Sequence, residues 1–227
     1  MEKTGLNGVY FMKSFFNSDS MLFRILTILM EFALMNLMFI LCCIPVVTAG
    51  SSYTALTESL HLFVQKGEGC FSAGNFLKTF KNNLKSTIPV WCGGLLSMIV
   101  LLYEAGYWFH SFRGTARIIL SGICLLLFLL VFGILQFWLF LTGRGQKAGI
   151  AFLKDCFLLS LARFPSVLLM AAFTASPLLL LLLSGSVLIR MAPVLLLFCF
   201  SFPAFFCVRL HEKILPPLFP ALFPEDD

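Results

Sequence analysis

The chain has 227 residues and a formal net charge of +5, with 59% hydrophobic and only 12% charged residues. A soluble domain carries about a quarter charged residues, and a chain of this size keeps a large surface that needs polar cover. The composition, with a mean hydropathy of +0.96, therefore excludes an ordinary water-soluble globule. The basic excess reads as membrane topology, because lysine and arginine are retained on the cytoplasmic side. No soluble domain with a basic face interleaved with aromatics is visible, so no nucleic-acid partner is expected. The expected fold class is all-α, a polytopic transmembrane helix bundle in the plasma membrane.

About 20 residues precede the first apolar run, Leu22–Ile44, which carries Arg24 near its start and Glu31 inside. That run is longer than the roughly 7–15 residues of a signal-peptide core, so it is expected to stay as an anchor, although Val47-Thr48-Ala49 resembles a cleavage site. Next comes Val46–Val64, with Thr48, Ser51, Ser52, Thr54, Thr57, Glu58, Ser59 and His61. Hydropathy alone omits it. Four further segments are long enough to cross about 30 Å of hydrocarbon: Ile88–Phe109, with Glu104 near its outer end, Ile118–Leu141, Phe164–Leu183 and Met191–Val208, the last holding Pro193 and Pro203.

Basic residues decide the count. If Val46–Val64 crosses, 13 of the 16 lysines and arginines share the cytoplasmic side, leaving Arg113, Arg117 and Arg190 outside. With five crossings the split is 10 to 6. The stronger bias favours six crossings with both termini cytoplasmic; the alternative is five, with the second segment re-entrant, which its polar residues also permit. Residues 1–215 then form one transmembrane domain. Residues 216–227 form a proline-rich acidic cytoplasmic tail, whose four prolines cannot continue a helix.

Between the second and third segments, Asn75–Thr87 is a basic amphipathic stretch. Phe76, Leu77, Phe80 and Leu84 recur at helical spacing, with Lys78, Lys81 and Lys85 on the remaining faces. It is expected to lie in the headgroup region, contacting anionic lipid or docking a cytoplasmic partner. A weak internal echo pairs Phe76-Leu77-Lys78 and Pro89 with Phe152-Leu153-Lys154 and Pro165, as two related hairpins would.

Pro45 and Gly50 mark the reversal between the first two segments, proline ending one helix and glycine permitting the turn. Glu31, Glu58 and His61 form a candidate intramembrane polar site, because a charge at the centre of a span must be paired, protonated or turned inward. One reading is a solute pathway; the other is interhelical glue, the hydroxyls bonding across helices. Glu104 simply reaches water. The eight cysteines lie mostly in or beside apolar runs and show no Cys-x-x-Cys and no zinc spacing, so no metal, cofactor or disulfide role is expected. No nucleophile motif is present, and the chain is expected not to be an enzyme.

The stretch Asn36-Leu37, Ile44-Pro45-Val46-Val47-Thr48-Ala49-Gly50 and Thr54-Ala55-Leu56, with Gly67-Glu68-Gly69 and the basic Phe-rich run Phe76–Lys85, resembles the YesL family of Gram-positive bacterial membrane proteins. The likeness covers about residues 20–110; Ser51 departs from it, where a proline is usual. It implies an accessory role beside carbohydrate uptake, with a transporter subunit or membrane sensor as partner, and supplies no site residues. Three functions follow: a non-catalytic accessory or regulatory component of carbohydrate uptake or sensing, a small-solute transporter using the polar site between the first two spans, or a membrane enzyme with an unrecognised site.

Overall fold

The computed structural model describes residues 21–67, 69–145, 150–183 and 200–214. Their regular structure is helical: α1 (Met21–Cys43), a 3-10 turn (Val46–Thr48), α2 (Ala49–Lys66), α3 (Ala73–Ser111), α4 (Thr115–Gly143), α5 (Ile150–Ala162), α6 (Phe164–Leu183) and α7 (Ser201–Ile214). Both chain ends, the proline-rich tail and Met191–Cys199 lie outside the described residues. Among the described residues three helices, α1, α3 and α4, are long and apolar enough to cross a membrane, and a fourth if the bent pair α5–α6 counts as one. The polar second segment is not among them.

The α1–α2 reversal is built by Pro45 and Thr48. Pro45 is extended (φ −79°, ψ 114°) and caps the 3-10 turn, while the Thr48 hydroxyl lies 2.8 Å from the carbonyls of both Cys42 and Pro45. Gly50 corrects the sequence reading. It sits inside α2 rather than in the turn and has no positive φ. What it permits is close packing: a Cβ there would lie 2.8 Å from Cβ and Cγ of Trp91 on α3.

α2 owes its polarity to its place. It packs against α1, α3, α4 and α7 at once, and Ser51, Ser52, Thr54 and Thr57 are all buried. The glue expectation holds for one hydroxyl of that set: Ser52 donates to the Phe39 carbonyl of α1 (3.0 Å). Thr54, Thr57 and Ser59 instead donate to carbonyls of their own helix, at Gly50, Thr54 and Ala55. Such back-bonding satisfies the hydroxyl locally and leaves the crossing to van der Waals packing.

α3 also departs from expectation. The amphipathic stretch and the apolar segment after it form one helix of 39 residues, about 58 Å at 1.5 Å per residue. Phe76, Phe80, Leu84, Thr87 and Trp91 make one helical stripe that turns inward along α2, with Phe76 and Thr87 fully buried. The same face thus continues through Pro89 without a break. Pro165, its counterpart in the echo, does the opposite. α5 and α6 meet there at 92°, because proline cannot donate to the preceding turn, and Ser166 N–H bonds Arg163 O instead (2.9 Å).

α3 and α4 run antiparallel through a turn at Gly114, whose φ of +74° suits glycine. Gly94 meets Leu135 and Ser121 Oγ donates to Ala105 O. This register sets Trp91 and Trp138 near one level and Trp108 near the tip. Of the sixth expected segment, Met191–Val208, only Phe200–Val208 falls among the described residues; there α7 begins at Ser201 and runs on to Ile214. Its first N–H groups need acceptors. Asn36 Oδ1 accepts from Phe200 and Ser201 N–H (3.1 Å each), and Ser201 Oγ donates to Phe32 O (3.0 Å). Pro203 falls in the first turn, where its missing N–H costs nothing.

Candidate functional site

The C-terminal ends of α2, α4 and α7 converge. α2 brings Glu58 and His61, one helical turn apart; α4 ends on Arg144, its C-cap; α7 brings His211 and Glu212. His61 Nδ1 lies 2.5 Å from Glu212 Oε1, with side chains 7% and 17% exposed. Arg144 Nη2 lies 3.9 Å from the same oxygen, its own side chain 6% exposed. Glu58 is within Coulombic reach of both His61 and Arg144. Burial pulls the Arg144 guanidinium down to about 10, while Glu58 and Glu212 oppose that shift. It therefore stays cationic at neutral pH.

One ring organises the cationic side. Phe140 carries the Arg144 guanidinium 4.8 Å from its centroid and stacks on His211 at 4.3 Å and 10°. Phe137 meets the same imidazole edge-on at 5.0 Å. His211 is fully buried, and its pKa falls to about 3, first through desolvation and then through Arg144, against the Cys207 carbonyl. It is a neutral imidazole at neutral pH. Arg144 thus faces the carboxyl groups of Glu58 and Glu212, and His61 is paired with the latter.

Of the sequence candidates, Glu58 and His61 meet here and Glu31 does not. Glu31 Oε1 accepts the backbone N–H groups of Gly69 (2.8 Å) and Phe71 (3.4 Å), tying α1 to the connection that follows α2. Gly67 and Gly69 give that connection its positive φ angles, +83° and +84°. Lys78, Lys81 and Lys85 are exposed on the first half of α3. Arg144, His211 and Glu212 were missed. The available signal was position: each lies within a few residues of the end of an apolar run, where a charge is usually read as a topological marker.

Residues 32–105 match a family model described as a protein of unknown function, DUF624. The matched stretch contains every segment on which the resemblance to the YesL family rests. It runs from α1 through α2 into the distal half of α3, so it includes Asn36, Glu58, His61 and the three lysines but neither Arg144 nor Glu212. No curated protein and no solved structure matches the chain.

Proposed function

We propose that the protein is a non-catalytic, multi-pass accessory protein of the plasma membrane that offers the basic face of α3 to a cytoplasmic partner. The observation that carries this is the continuity of α3. Exposed Lys78, Lys81 and Lys85 sit on the same unbroken helix as an apolar stretch of which only 6% is buried within the protein. Any load on the lysine face is transmitted along a rigid rod into the bilayer. The resemblance to the YesL family adds the class of partner, a subunit of carbohydrate uptake or a membrane sensor.

The tryptophans, which favour the two interfaces, support a membrane placement for this reading. Trp91 and Trp108 are 17 residues apart on α3, about 26 Å, close to the thickness of the hydrocarbon. The α3–α4 hairpin then crosses, with Tyr107, Trp108, Arg113 and Arg117 at the outer face. The Trp91 indole donates to Val46 O (2.9 Å), which supports a reading in which the α1–α2 turn lies at the inner face and not at the outer one. The 13 to 3 basic split is the same whether the α1–α2 hairpin crosses twice or stays at the cytoplasmic face.

Solubilisation in mild detergent followed by affinity purification tests the role. The parent should retain a stoichiometric transporter subunit or sensor, and a Lys78→Gln/Lys81→Gln/Lys85→Gln variant should lose it while still inserting. Equal recovery from both proteins would remove this face as the docking surface. The transporter reading draws on the buried Glu58/His61/Arg144/Glu212 cluster; solute uptake by the lone protein in liposomes would favour it instead.

A further inference from the structure

A cavity of about 210 Å³ lies between α1, α2, α3, α4, α6 and α7. Phe39, Trp91, Met98 and Phe132 contribute apolar walls, and a polar edge is formed by Tyr53, Gln136 and Thr174. The hydrogen bonds on that edge have one direction. Tyr53 O–H donates to Gln136 Oε1 (2.6 Å), which fixes the carboxamide with its amino group on the far side. Thr174 spends its proton on the Met170 carbonyl (2.7 Å), so its oxygen can only accept. Gln136 Nε2 reaches it at 3.5 Å, the outer limit for such a bond.

A carboxamide nitrogen has two protons. One long bond leaves donor capacity on a residue that is 5% exposed and borders an apolar space. Water is a poor occupant, since it needs two to four polar partners, and apolar cavities of this kind stay dry and take apolar molecules. A sugar would leave several hydroxyls unmatched. The complement is a flexible hydrocarbon with a single acceptor at one end.

We propose that this cavity binds an acyl chain bearing a carbonyl group, with Gln136 donating to the carbonyl oxygen and the chain lying against Trp91 and Met98. The proposal rests on the membrane placement given above, which puts the level between Trp91 and Met98 inside the hydrocarbon beside Trp91, and not on the accessory role. An acyl carbonyl comes either from a phospholipid ester or from a free fatty acid.

Trp91 reports occupancy directly. In a Trp108→Phe/Trp138→Phe background it is the single indole, and bromine on an acyl chain quenches it on contact. The detergent-solubilised protein is titrated with dibromostearic acid and, separately, with phosphatidylglycerol carrying dibrominated chains. Saturable quenching at one site is expected, and the probe that saturates at lower concentration identifies the source. Gln136→Leu should weaken that probe about tenfold, and Ala204→Leu, which extends a cavity wall, should remove saturation. Thermal melting checks that each variant is folded; if one is not, the other decides. Quenching that rises linearly and equally in parent and folded variants means contact with surrounding lipid only and overturns the proposal. Partner recovery through the lysine face is read separately, so the two ideas fail independently.

Discussion

His61 Nδ1 and Glu212 Oε1 lie 2.5 Å apart although 151 positions separate the residues in the chain. The contact fastens the C-terminal half of α2 to the last turn of α7, and both side chains are largely shielded. Hydrogen bonds involving a charged group contribute about 1.5–3 kcal/mol. His61→Gln and Glu212→Gln, singly and together, should therefore show a coupling of about that size in a double-mutant cycle read by unfolding in detergent. Strict additivity would mean that the two side chains contribute to stability independently.

Glu31 separates a positioning role from a titrating one. Its Oε1 accepts from Gly69 and Phe71, and an amide oxygen accepts equally well. Glu31→Gln should be nearly silent in both stability and host growth. Glu31→Leu leaves a backbone N–H without its acceptor and should cost about 1–3 kcal/mol. Loss of growth with the Gln variant at unchanged melting temperature would assign the carboxylate a protonation role instead.

Gly50→Ala tests the α2–α3 crossing. The added methyl would meet Trp91 Cβ and Cγ at 2.8 Å and Thr87 Cγ2 at 3.1 Å. Trp91 Cβ is fixed to the α3 backbone, so the helices must separate. Overpacking of this kind costs about 1–3 kcal/mol. A melting temperature equal to the parent's would show that α2 and α3 are less closely packed.

His211 makes stability sensitive to acid. Its folded pKa of about 3 lies below the ordinary value of about 6.5, so between those values the unfolded chain binds more protons than the folded one. Stability then rises with pH across that window, and it falls as pH drops from 6.5 toward 3. The groups facing this imidazole are Arg144, Phe137 and Phe140 of α4. His211→Phe keeps a stacked ring without titration, and its melting temperature should fall less than the parent's between pH 7 and pH 5. Parallel pH profiles would place the acid sensitivity elsewhere.

Topology is checked at three points. Reporters fused after Gly69 and after Gly114 should read cytoplasmic and external. In a cysteine-free background, Val47→Cys should resist an impermeant thiol reagent applied from outside, because the Trp91–Val46 bond holds the turn at the end of the α3 apolar stretch that the proposed placement sets inside. External labelling of that position would restore a full crossing by α1 and α2.

Local properties were legible from the sequence. Apolar composition dictated helices in lipid, because every backbone group must be satisfied within its own segment. The starts of α1 and α6 and the lysine face of α3 follow from hydropathy and a period of 3.6 residues. What the tertiary structure alone decided is which polar groups meet. Hydropathy scores α2 as a poor span because it cannot know that four neighbouring helices enclose it. The same scale reads Arg144 and Glu212 as loop charges, since nothing local reveals that they share an oxygen's neighbourhood with His61. Asn36 could become the cap of α7 only once α1 lay beside Ser201, and Gly50 could become a packing residue only once Trp91 was set against it. Periodicity fixes the face a residue occupies on its own helix; the partner on that face is set by how the helices cross, and that depends on the whole bundle.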